Sequence, residues 1–180
     1  MKTAEFVRER QQQNRKESGM PEDATKKMMY RWLTGSVYAA IKLVGNRTMK
    51  VFTRGMSMVF VNTVNREYGE PLTDGMAVGD VVDGYKDLEV LSAQTENGSI
   101  EKDITESEIR LVFKGCVYAG LCNELLPSLT GTGEFTEKTI PCLRCSNYSA
   151  ALALFNKSRW PYQLVQYAPG ARCTGVLKKL

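Results

Sequence analysis

Cys142-Leu143-Arg144-Cys145 is the stretch of this sequence whose residue types and spacing suggest chemistry most directly. Two thiols separated by two residues can hold part of a zinc site or cycle between dithiol and disulfide. A structural zinc site takes four ligands, so Cys116, Cys122 or Cys173 would have to converge on the pair. A redox dithiol wants a helix to follow, where the helix N-terminus and Arg144 lower a thiolate pKa. The plainer reading is unreactive thiols: five cysteines, an odd number, do not make a disulfide framework. No histidine occurs anywhere, which removes Ser-His-Asp and Cys-His nucleophilic sites and every histidine-containing metal site. Asp74, Asp80, Asp83 and Asp87 lack the EF-hand pattern and read as a solvated acidic face. Gly131-Thr132-Gly133 lacks the lysine and second glycine of phosphate loops. We therefore expect no catalytic residues, no cofactor and no metal.

Charge is distributed in blocks. Residues 26–66 hold eight basic and no acidic side chains, and residues 138–180 hold seven basic and none acidic. Between them, residues 67–108 carry twelve acidic and two basic groups. Ordinary surfaces intersperse the signs. One explanation folds the acidic middle against both basic blocks inside one molecule. The other leaves basic surface open for a phosphate-rich polymer or an anionic leaflet, through counterion release or membrane potential. The second implicates Lys26, Lys27, Arg31, Lys42, Arg47, Lys50, Arg54, Lys157, Arg159, Lys178 and Lys179. Aromatic neighbours (Tyr30 and Trp32; Trp160 and Tyr162) could stack bases or sit among headgroups. A third use pairs the acidic middle of one subunit with the basic surface of the next, building an open polymer.

The elements that must present these groups follow from periodicity. Residues 1–27 read as a charged arm, with Phe6, Val7, Met20 and Pro21 as its candidate self-association contacts. Residues 28–180 read as one globular domain. Within it, residues 29–44 read as an extended strand pair or one long strand. Residues 48–66 are helical, with Met49, Phe52, Met56, Val59, Phe60, Thr63 and Val64 as the expected core stripe. The glycines of residues 69–85 suggest a loop holding one helical turn near Val78–Val82, followed by a strand over Lys86–Thr95. A turn at Glu96-Asn97-Gly98-Ser99 would pair that strand with Ile104–Ala119, whose Ile109, Leu111, Phe113 and Val117 share one side, with Arg110, Val112, Lys114, Cys116 and Tyr118 on the other. Ser146 reads as the N-cap of a helix over Ser149–Ser158, Tyr162–Tyr167 as a late strand, and Val176-Leu177 as a short return. The sum is an α+β fold, an antiparallel sheet packed with two main helices. No run of 18 uncharged apolar residues suggests a membrane span, and no apolar signal core is visible near the N-terminus, so a cytosolic setting is expected.

Leu33-Thr34-Gly35-Ser36-Val37, the strand and amphipathic helix running to Tyr68-Gly69-Glu70, the strand Glu108–Ala119, and the Ser/Ala/Leu helix Ser146–Phe155 fall in an order that resembles the matrix proteins of rhabdoviruses, small plant-infecting members in particular. The resemblance implies a structural rather than enzymatic protein. It would line the inner face of an envelope, hold a viral nucleocapsid against the anionic membrane, and polymerise through its N-terminal segment. Its setting would be host cytoplasm and virion. The arm has only Pro21 where animal-infecting members carry a proline-rich budding motif. The rival readings are a small RNA-binding nucleocapsid or silencing-suppressor protein, and a cysteine-dependent enzyme or zinc module.

Overall fold

The computed structural model describes residues 32, 36, 39, 51–92, 100–116, 118–120, 122–123, 141–169 and 171–180. Among these, helices α1 (51–67), α2 (Val78–Leu91) and α3 (Leu143–Ala151) accompany strands β1 (Ile100–Ile104), β2 (Glu108–Lys114), β3 (Tyr162–Gln166) and β4 (Arg172–Lys178). The fold is α+β, and three helices rather than two lie among the described residues.

Helix α1 forms where the period of 3.6 predicts it, but it turns a different face inward. Thr53, Ser57, Val61, Val64 and Asn65 are buried, while Phe52, Val59 and Phe60 are exposed. Among the described residues of the expected stripe only Val64 is fully buried and Met56 half-buried; Met49 lies outside them. The small Thr53 and Ser57 admit close packing, an option that a count of large apolar side chains cannot register. The helix ends at Gly69 and Glu70, both at positive φ (85° and 58°). A left-handed residue is the usual stop, because glycine adopts it without steric cost. Asn65 then latches the following chain: its Nδ2 donates to the Leu72 carbonyl (2.9 Å) and its Oδ1 accepts from the Leu72 N–H (2.9 Å).

Helix α2 corrects the expectation of a loop and a strand over residues 69–95. Val81, Val82, Tyr85, Leu88 and Glu89 occupy one buried stripe at helical spacing. Gly79 and Gly84 do not break it. At Gly84 the absence of a Cβ is required, since one would strike the Leu72 side chain. Likewise Trp32, Ser36 and Ala39 are helical, so the expected strand over residues 29–44 is not formed there. A short apolar run satisfies both periods, and alternation alone does not decide between them.

The sheet order is β1-β2-β4-β3, antiparallel throughout. The partner of β2 is β1, through the 105–107 turn, and not residues 86–95, which belong to helix α2 up to Leu91. Its other neighbour is β4, seven residues long and central, where only a short return was expected. Of the expected inner face, Ile109, Leu111 and Phe113 are each at most 2 % exposed and Val117 lies outside the described residues, while Val112, expected on the opposite side, is buried too. Ile109, Leu111 and Phe113 face Leu177, Gly175 and Cys173 across the register. Helix α3 lies against β3 and β4, and α2 lies against α3 and the π-helical turn Leu152–Asn156 that extends it. Its N-cap is Cys142, four residues before the expected Ser146, which is buried inside the helix. Met76 O accepts from Asn156 Nδ2 (2.7 Å) and Phe155 O from Gly75 N–H (2.7 Å), tying the entrance of α2 to the end of α3.

Candidate functional site

A carboxylate, a guanidinium and a phenol meet in the core between α2 and α3. Glu89 is 0 % exposed because it continues the buried stripe of α2. Arg144 is 1 % exposed because the first turn of α3 points it at that stripe. Arg144 Nε donates to Glu89 Oε1 (2.9 Å) and Nη2 donates to Oε2 (3.0 Å). Oε2 also accepts from the Tyr148 hydroxyl (2.9 Å). Two parallel bonds fix guanidinium and carboxylate in a fork, the geometry in which such a pair is strongest. The guanidinium lies over the Phe113 ring, 4.5 Å from its centroid. Tyr85 meets Tyr148 edge-on at 4.9 Å.

Burial pushes the Glu89 carboxyl up, against the pull of Arg144 and Tyr148. Burial works against the Arg144 charge, but Glu89 more than offsets it, and Arg144 stays charged. Burial first, and then the Glu89 charge, raises the Tyr148 and Tyr118 phenols, so both keep their protons, and Tyr148 remains the donor to Glu89. One atom in this cluster is left over: Arg144 Nη1 is buried and has no hydrogen-bond partner among the described residues. Leaving a charged donor unsatisfied in the core costs several kcal/mol, on the order of the desolvation penalty.

Cys142 caps α3 beside this cluster. Its Sγ accepts from the Cys145 N–H (3.4 Å), and its own N–H donates to the Tyr162 hydroxyl (3.0 Å). A hydrogen bond from the Cys145 thiol pulls the Cys142 thiol below its ordinary value, and pushes that of Cys145 well up. Burial raises the others: Cys116 to about 11, Cys122 to about 12, and Cys173 upward as well. No group of three or more His, Cys, Asp or Glu side chains among the described residues is placed to hold a metal ion.

The expected basic surface divides. Lys26, Lys27, Arg31, Lys42, Arg47 and Lys50 lie outside the described residues, as do the arm contacts Phe6, Val7, Met20 and Pro21. Arg54 is exposed on α1. Lys157 pairs with Asp74 (2.9 Å) and Lys178 with Glu108 (3.8 Å). Arg172 reaches Glu101 (3.5 Å), which also pairs with Lys114. With Arg144 on Glu89, four members of the C-terminal basic block meet carboxylates of the acidic middle within the chain. Arg159 and Lys179 are exposed, without an ion pair to a described residue. Trp160 is 1 % exposed and bonded to Ser158 Oγ (2.6 Å), so neither it nor the half-buried Tyr162 offers a face for base stacking. Of the acidic run, Asp74 and Asp83 pair with Lys157 and Lys102.

Glu89, Tyr148 and the pairing of Arg144 with them escaped the sequence reading. The signal was present at Glu89: a carboxylate falling on the stripe Val81-Val82-Tyr85-Leu88 at helical spacing is a charge that needs a buried partner.

No family model matches the chain. No curated protein matches it either. Among solved structures, the chain is similar to the phenol-responsive sensory domain of the transcription activator PoxR, solved with phenol. The TM-score is 0.58 at 7 % identity, covering 83 % of this chain and 74 % of that one. The two share a fold.

Proposed function

We propose that this chain is a non-enzymatic, ligand-responsive domain whose buried Arg144 receives the oxygen of a small neutral aromatic molecule. The observation that carries the reading is the unsatisfied Arg144 Nη1 in a site that is otherwise fully bonded. Charge decides the ligand class. Glu89 already balances Arg144, so an anionic guest would bring an uncompensated charge into the core at a cost of several kcal/mol. A neutral hydroxyl, ketone or amide oxygen satisfies Nη1 without that cost, and the rings of Tyr85, Phe113 and Tyr148, packed on one another beside the pair, make its surroundings aromatic. The fold likeness to a phenol-responsive domain makes phenol the first probe. Calorimetric titration of the full chain with phenol, toluene and benzoate tests the reading. Phenol should bind saturably and toluene about 10-fold or more weaker, the worth of one hydrogen bond to a charged donor. Equal binding of toluene, or no binding of phenol, refutes it.

A second reading keeps the matrix-like protein: a self-associating chain holding a nucleocapsid, or RNA, to an anionic membrane. Exposed Arg54, Arg159 and Lys179, none in an ion pair with a described residue, support it, while the in-chain pairing of Lys157 and Lys178 weakens it. Flotation with acidic and neutral liposomes across salt separates the two. Indifference to acidic lipid at low salt ends the matrix reading.

A further inference from the structure

We infer that Cys142 and Cys145 form a reversible dithiol–disulfide pair, with Cys142 as the site of attack and Cys145 as the resolving thiol. The inference stands apart from the ligand reading. Cys142 is the N-cap of α3 and Cys145 lies in its first turn, with Cys142 Sγ 3.4 Å from the Cys145 backbone nitrogen. Cys142 is half-buried as a residue, whereas Cys145 is 0 % exposed. Cys145 Sγ is held in place because it packs against Gly175, where any Cβ would overlap it. The hydrogen bonds that Cys142 Sγ accepts from the Cys145 thiol and from the Cys145 and Arg144 backbone N–H groups favour its thiolate, which is the nucleophile. Neighbouring Cys116, Cys122 and Cys173 keep their protons and attack slowly.

The co-reactant is a small disulfide of the glutathione class. The Cys142 thiolate attacks one sulfur of it, forming a mixed disulfide and releasing one thiolate. Cys145 then gives up its proton and attacks Cys142 Sγ, forming the intramolecular bond and releasing the second thiolate, which takes a proton. The protein loses two electrons and two protons, and one oxidised glutathione becomes two reduced.

Trypsin cuts after Lys138, Arg144 and Lys157, so the bond would join peptides 139–144 and 145–157. Reduced full-length protein is equilibrated with oxidised and reduced glutathione, alkylated, digested and weighed. The linked pair should appear, and two of the five thiols should be lost to alkylation. Cys145→Ser should trap glutathione on Cys142, and Cys142→Ser should abolish both products. Serine is itself a favoured N-cap, so Cys142→Ser keeps the helix start. A bond from Cys142 to Cys116, Cys122 or Cys173, no linked pair in fully oxidising buffer, or a Cys145→Ser variant that fails to trap glutathione at Cys142 would each overturn the inference.

Discussion

Replacing Glu89 with glutamine tests the structural centre of this protein. The carboxylate accepts three hydrogen bonds, two from Arg144 and one from Tyr148, and neither it nor Arg144 exceeds 1 % exposure. The amide of Glu89→Gln can still accept at one position, but it leaves the guanidinium charge uncompensated in the core. Removing one partner of such a pair costs about 3–5 kcal/mol. A domain of this size has on the order of 5–15 kcal/mol in all. At roughly 2–4 °C per kcal/mol, the melting temperature should fall by about 6–20 °C. A second variant isolates the cause. Glu89→Leu with Arg144→Met removes both charges and keeps apolar volume, so it should recover most of the loss, because the penalty belongs to the unpaired charge and not to the missing pair. Urea unfolding followed by circular dichroism gives midpoint and slope for each variant. If Glu89→Gln costs less than about 1 kcal/mol, or the double variant is as unstable as the single one, the buried pair does not act as described.

Four further variants test other sites. Asn65→Ala should lose about 2–6 kcal/mol in urea unfolding, since the Leu72 N–H and carbonyl both lose buried partners at about 1–3 kcal/mol each; a loss below ~1 kcal/mol would show that water replaces the latch. Gly175→Ala should destabilise by about 1–3 kcal/mol through overlap with Cys145 Sγ. Gly55→Ala, mid-helix with open space around it, should stabilise by about 0.5–1 kcal/mol; opposite signs from the one substitution are the check. Lys114 first, by hydrogen bond and charge, holds the exposed Glu101 carboxyl below its ordinary value. Its folded value therefore lies under the unfolded one, so its stabilisation is present above about pH 4.5 and is lost as pH falls through the folded value. The gap in urea midpoint between the parent and Glu101→Gln should close on acidification and shrink in molar salt; a gap that persists in acid refutes the assignment.

Local pattern carried part of the way. The 3.6 period placed α1 to within a few residues, and the alternation of Ile109, Leu111 and Phe113 placed the inner face of β2, because each signal is complete within one element. Helix α2 was missed because Gly79 and Gly84 look like breakers. At Gly84 the reason lies twelve residues earlier in the chain, where Leu72 fills the space that a Cβ would take. The core face of α1 was misjudged for a similar reason: whether Thr53 or Phe52 turns inward depends on what stands opposite.

What the residue order alone determined is the α+β class, the absence of histidine chemistry and the segregation of charge into blocks. The meaning of those blocks was decided by tertiary structure. Glu89 and Arg144 are 55 residues apart, and Lys157 and Asp74 are 83 apart. Sequence shows how much charge each block carries, but only the folded chain shows where the charges meet. The interaction between two charges depends on their separation and on the water between them, and the packing of α2 against α3 sets both.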